Sequence, residues 1–134
     1  MPPESPEPGS AADWLHHARS DLALASVRKN RRVLYEHLCF HAQQAAEKAL
    51  KAVLVVEGIS FGRSHDLAYL LGLLPEGKSI PPSLIALPLL NKFAVQYRYP
   101  GDAPAVTAQQ RKQAVRLAED TVAWAARMVK PATS

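Results

Sequence analysis

The apolar positions between Asn30 and Gly58 constrain this chain more than any other feature of its sequence. Leu34, Leu38, Ala42, Ala45, Ala49, Val53 and Val56 follow one another at steps of three or four residues. That spacing lines one face of an α-helix and cannot be reproduced by a strand, whose faces alternate with a period of two. Asn30 is the expected N-cap, and Gly58 can take the left-handed conformation that closes a helix C-terminus. The alanines leave little bulk on the stripe, so neighbouring helix backbones can approach closely. A long one-sided helix has to bury its stripe against other elements.

The rest of the chain supplies them. A first helix is expected over Ala11–Arg28, with Trp14, Leu15, Ala18, Leu22 and Ala25 at helical spacing and Ser10 with Asp13 as a capping box. Ser64 can cap a short helix over Asp66–Leu74, followed by a turn-rich loop, Pro75–Pro82. A fourth helix is expected over Ser83–Tyr99. Pro88 must kink it or lie in its first turn, and Pro100 stops it. Thr107 and Gln110 form a second capping box, and the helix they open runs to about Lys130 with Leu117, Ala118, Val122, Trp124 and Met128 inward. The expected fold is all-α: an antiparallel up-and-down bundle of four long helices plus one short helix.

Composition bounds the class of protein. Of the 11 prolines, four fall within the first eight residues, so 1–10 reads as a disordered Pro-rich tail, 11–130 as one helical domain and 131–134 as a second tail. The hydrophobic share of 48% is enough for a core. Runs such as Ala52–Val56 are far too short to cross a bilayer, and the proline-rich start is not a secretory signal. The single cysteine, Cys39, excludes a disulfide framework. No membrane attachment is expected, and the simplest setting is the cytoplasm of a bacterium or archaeon. A net charge of +4 permits an anionic partner without requiring one.

Four polar features carry chemistry. His37, His41, Gln44 and Lys48 share one face of the second helix, with Glu47 and Lys51 alongside. Such a row is either a solvated face or a ligand face. His37 and His41 stand at the i, i+4 spacing of zinc ligands, but no third ligand is near in sequence and no metal or other cofactor is expected. In Tyr97-Arg98-Tyr99-Pro100-Gly101-Asp102, Arg98 projects from a helix end between two aromatic rings. It can bond the terminal carbonyls or fork onto a phosphate or carboxylate. Arg28-Lys29-Asn30-Arg31-Arg32 places four cations in one turn, either solvated or set against a nucleic-acid backbone. Ser64-His65-Asp66-Leu67 reads as a cap, since a Ser–His–Asp triad is not built from adjacent residues.

The run Cys39-Phe40-His41-Ala42-Gln43-Gln44-Ala45-Ala46-Glu47-Lys48-Ala49-Leu50-Lys51-Ala52 resembles the signature helix of the HEPN domain (higher eukaryotes and prokaryotes nucleotide-binding). Its surroundings follow the same order: Trp14 with Ala18-Arg19-Ser20-Asp21-Leu22 upstream, then Gly58, Ser64-His65-Asp66-Leu67 and Arg98-Tyr99-Pro100. The resemblance spans about Asp13 to Lys130.

That resemblance implies an up-and-down bundle that pairs as a homodimer. It also implies a role as partner of a minimal nucleotidyltransferase, in a toxin–antitoxin or related two-component system. Many family members are metal-independent ribonucleases with an Arg-x4–6-His motif. Here Arg32-x4-His37 and Arg31-x5-His37 lie at the start of the second helix rather than late in the bundle, and no histidine follows Arg98. The resemblance is therefore to an Arg-Tyr-Pro branch, for which it implies nucleotide or RNA binding. On that reading Lys48 and Arg98 hold phosphate, Tyr99 stacks a base, Gln44 orients by hydrogen bonding, and His41 is the candidate acid or base. An endoribonuclease toxin and a purely structural dimeric scaffold are the alternatives.

Overall fold

The computed structural model describes residues 5–75, 80–96, 100–101 and 103–129. They form α1 (Ala11–Ala25), α2 (Tyr35–Val56), α3 (Leu67–Gly72), a 3-10 stretch (Pro82–Leu90), α4 (Asn91–Val95) and α5 (Ala108–Met128), with no strand among them. The all-α bundle expected from the sequence is present. The long helix α2 is its centre, packed along α1 on one side and α5 on the other, with α3, the 3-10 stretch and α4 closing the remaining face.

The stripe explains this arrangement. Ala42, Ala45, Ala46, Ala49 and Ala52 are fully buried, as are Ala18 and Ala25 of α1 and Ala118 and Ala125 of α5. Small side chains meet along the helix seams, while Leu50, Leu54, Leu67, Leu70, Leu84 and Leu87 fill the space between them. Interdigitated aliphatic packing of this kind contributes about 2–5 kcal/mol per leucine, on the scale of leucine-to-alanine truncation.

The helix ends show which sequence signals act. Ser10 Oγ accepts from the Asp13 amide at 3.1 Å, while the Asp13 carboxylate reaches one residue further back and accepts from Gly9 N. Thr107 and Gln110 form both bonds of a capping box. At the end of α2, Gly58 adopts φ +70°; its N–H bonds to Val55 O and that of Ile59 to Leu54 O, the two closing bonds of a Schellman motif.

Four features differ from expectation, each for a local reason. The first helix ends at Ala25 rather than Arg28, where Arg111 of α5 donates to Ala25 O and Val27 O and satisfies carbonyls the helix would otherwise leave bare. Asn30 does not cap α2. Its Oδ1 accepts from Arg32 N in a separate turn, and α2 starts at Tyr35 with no side-chain cap. Asp66, not Ser64, caps α3: it accepts from Ala68 N, while Ser64 Oγ accepts from Asp66 N. The expected fourth helix is present as the 3-10 stretch containing Pro88, followed by α4. Proline lacks the amide that an α-helical bond needs, and regular α geometry begins only after it.

Candidate functional site

The polar face of α2 splits into two clusters, each organised by one carboxylate. The first belongs to Asp21, which α1 turns toward α2. Its Oδ1 accepts from His41 Nδ1 at 2.9 Å and its Oδ2 from Lys48 Nζ at 2.6 Å. Asp21 is buried, whereas His41 and Lys48 keep about a third and a quarter of their side chains exposed (33% and 25%). His41 and Lys48 are two turns apart on one face, and the lysine side chain lies back along the helix toward its N-terminus to share the carboxylate. Because a carboxylate only accepts, the imidazole proton sits on Nδ1, and Nε2 of the neutral ring carries the lone pair. The cluster therefore presents one imidazole lone pair beside one ammonium. The Phe40 ring packs edge-on against His41 at 5.5 Å.

The second cluster belongs to Glu47, which is buried with Gln43 and Lys51 while the His65 ring stays exposed. Its Oε2 accepts from Lys51 Nζ and from His65 Nδ1, both at 3.0 Å, and its Oε1 accepts from Gln43 Nε2 at 3.3 Å. The Lys51 ammonium also lies 5.3 Å from the Trp14 ring and 5.4 Å from the Phe61 ring, which meet edge to face at 5.8 Å. Gln43 donates in addition to His65 O and accepts from Gln44 Nε2. Gln44 thus ties the buried cluster to the surface row. Every buried side-chain nitrogen and oxygen among the described residues has a partner.

The sequence-derived candidates are distributed accordingly. His41, Gln44 and Lys48 do share one half-buried edge of α2. Arg98 and Tyr99 lie outside the described residues. Glu47 and Lys51 are not part of a solvated face: at 2% and 3% exposure they belong to the core, because Trp14, Phe61 and His65 cover them. The sequence reading named Asp21 only within the run that resembles the HEPN family and gave it no place in the site, whereas it is the hub of the half-buried cluster. A signal existed: Asp21 stands three residues after Ala18 and four before Ala25, on the inward face of α1, where an acid requires a partner. His37 is exposed, and among the described residues no group of three or more His, Cys, Asp or Glu side chains comes together.

Burial pushes the Cys39 thiol up from 9.0 to about 11, with Glu36 adding to the rise and Arg111 and Lys92 opposing it. It is a core residue rather than a nucleophile at neutral pH. Among the described residues no helix is long and apolar enough to cross a membrane.

Comparison with known proteins places these features in a family. No curated protein matches the chain. A crystal structure of a Thermus thermophilus protein superposes with a TM-score of 0.76 at 33% identity, covering 90% of this chain and 98% of the other. A crystal structure of an archaeal HEPN homologue gives 0.64 at 27% identity, with the same coverage. The HEPN domain model matches residues 11–129, the whole helical bundle described above. The chain belongs to the HEPN domain family.

Proposed function

We propose that this HEPN domain is a nucleotide- or RNA-binding module. His41, Gln44 and Lys48 form one wall of its ligand cleft, and Arg98 and Tyr99 complete it. The reading rests on one observation above the others: a buried carboxylate, Asp21, holds an imidazole and an ammonium side by side at the surface. A nucleotide that sets a phosphate oxygen on the Lys48 ammonium and a ribose hydroxyl on the His41 Nε2 lone pair replaces water on both groups at once, with little side-chain ordering left to do. In this account Lys48 and Arg98 grip phosphate, Tyr99 stacks on a base and Gln44 orients the ligand by hydrogen bonding. The protein acts in the cytoplasm as a homodimer that docks a minimal nucleotidyltransferase in a two-component, toxin–antitoxin-like system.

Binding of labelled nucleotides and RNA to the wild-type protein and to Lys48→Ala and Arg98→Ala tests the cleft. A loss of tenfold or more in each variant is expected, and unchanged affinity in both removes it. A second reading, metal-independent RNA cleavage, is favoured by the free Nε2 of His41, which takes the proton from a ribose 2′-hydroxyl as that oxygen attacks the adjacent phosphorus; the P–O5′ bond breaks, leaving a 2′,3′-cyclic phosphate, and the departing 5′-oxygen takes a proton from water. Cyclic-phosphate ends on RNA incubated with pure protein, absent with His41→Ala, would establish it. RNA left intact would eliminate it.

A further inference from the structure

We propose that the outer stripe of α5 is the seam at which a second copy of this chain docks, antiparallel, across a two-fold axis between Arg116 and Glu119. The inference rests on the pairing included in the proposed function and assigns it a surface. Lys112, Val115, Arg116, Glu119 and Asp120, spaced three and four apart, line one face of α5 along an open cleft of about 690 Å³ whose far wall includes Tyr35.

The charge along this face changes sign halfway. Arg111, Lys112 and Arg116 occupy the first part, and Glu119 and Asp120 the second. Arg111 is already committed to the carbonyls of Ala25 and Val27. None of the other four makes an ion pair among the described residues, although Arg116 and Asp120 stand at the i, i+4 spacing that commonly forms one.

A polyanion laid along this face would meet two carboxylates, and a cationic partner would meet the cations. A second copy running the opposite way meets neither problem. It sets its own acids against Lys112 and Arg116, and the two-fold axis repeats each pairing. The apolar component is also at hand. Val115 sits mid-stripe and Tyr35 lies across from it. Leu24 in the last turn of α1 and Val27 and Leu34 of the α1–α2 connection are exposed apolar residues nearby, at 46%, 40% and 47%. Charge pairs at the rim of such a contact set its register and orientation.

Sedimentation of the full chain, with circular dichroism to confirm folding, provides the test. The wild-type protein is expected to be dimeric at micromolar concentration. Lys112→Glu with Arg116→Glu, and separately Glu119→Lys with Asp120→Lys, should each raise the dimer Kd tenfold or more. An equimolar mixture of the two variants should restore the dimer, since opposite charges then face each other again. Both variants remaining dimeric, or the mixture failing to recover, overturns this seam while leaving the pairing itself standing. A wild-type protein monomeric at all concentrations overturns both.

Discussion

Replacing Glu47 by Gln isolates the contribution of the buried ion pair to the bundle. The substitution keeps size and shape but removes the charge that faces Lys51 at 3.0 Å, while both residues are almost wholly excluded from water. An ammonium left in the core without its counter-ion costs about 3–5 kcal/mol. The Trp14 and Phe61 rings around the ammonium return about 1–2 kcal/mol through their faces. The expected net loss is therefore about 1–4 kcal/mol. That is a large share of the roughly 5–15 kcal/mol by which a domain is stable. Urea unfolding followed by far-UV circular dichroism reads it directly. Lys51→Met and the double variant complete a cycle, and the double variant should cost clearly less than the two singles added together, because it strands no charge. A Glu47→Gln protein within about 0.5 kcal/mol of wild type, the spread of an ordinary surface change, would refute the view that α2 carries a buried pair.

Three further outcomes follow from the geometry. Asp21→Asn offers one oxygen acceptor where two are used and turns an amide N–H toward the other partner, so His41 and Lys48 lose their common hold and a short RNA should bind severalfold more weakly in a fluorescence-anisotropy titration; unchanged or tighter binding would contradict the positioning role of Asp21. Cys39 keeps its proton to about pH 11 when folded and to about 9 when unfolded. Its contribution is therefore intact below pH 9 and is lost as pH rises toward 11, on the order of 2–3 kcal/mol; the alkaline fall in stability should be shallower in Cys39→Ala, and an identical slope would contradict this. Gly58→Ala meets no atom within 4 Å of the added Cβ but keeps φ at +70°, so denaturant unfolding should show about 1–2 kcal/mol of lost stability from backbone strain alone, and no loss would argue against the left-handed cap.

Local chemistry was legible in the sequence where it is settled within a few residues. Gly58 closing α2, Thr107 with Gln110 opening α5, and the stripe of α2 from Leu38 to Val53 act as their spacing predicts, whereas the two ends of the expected stripe, Leu34 and Val56, are exposed. The reading slipped where neighbours compete or where a distant residue decides. Ser64 and Asp66 can both cap, and Asn91 of α4 settles the choice by donating to Asp66 and accepting from Leu67 N. Asn30 has the right chemistry for an N-cap but finds its own turn first. Gln43, Glu47 and Lys51 repeat every four residues like an ordinary solvated row. Only the cover provided by Trp14, Phe61 and His65, from α1 and the loop after α2, turns that row inward. Asp21 escaped for the same reason: its two partners lie on another helix, 20 and 27 residues away.

The account turns on His41 and Lys48 meeting one anionic ligand under the hold of Asp21. The nitrogen-15 and ring-proton signals of the five histidines, followed while a short RNA is added, test this most directly. The His41 resonances should move saturably while those of His16 and His17 stay still, and the movement should vanish in Lys48→Ala. Saturable RNA binding that leaves the His41 ring undisturbed would contradict it.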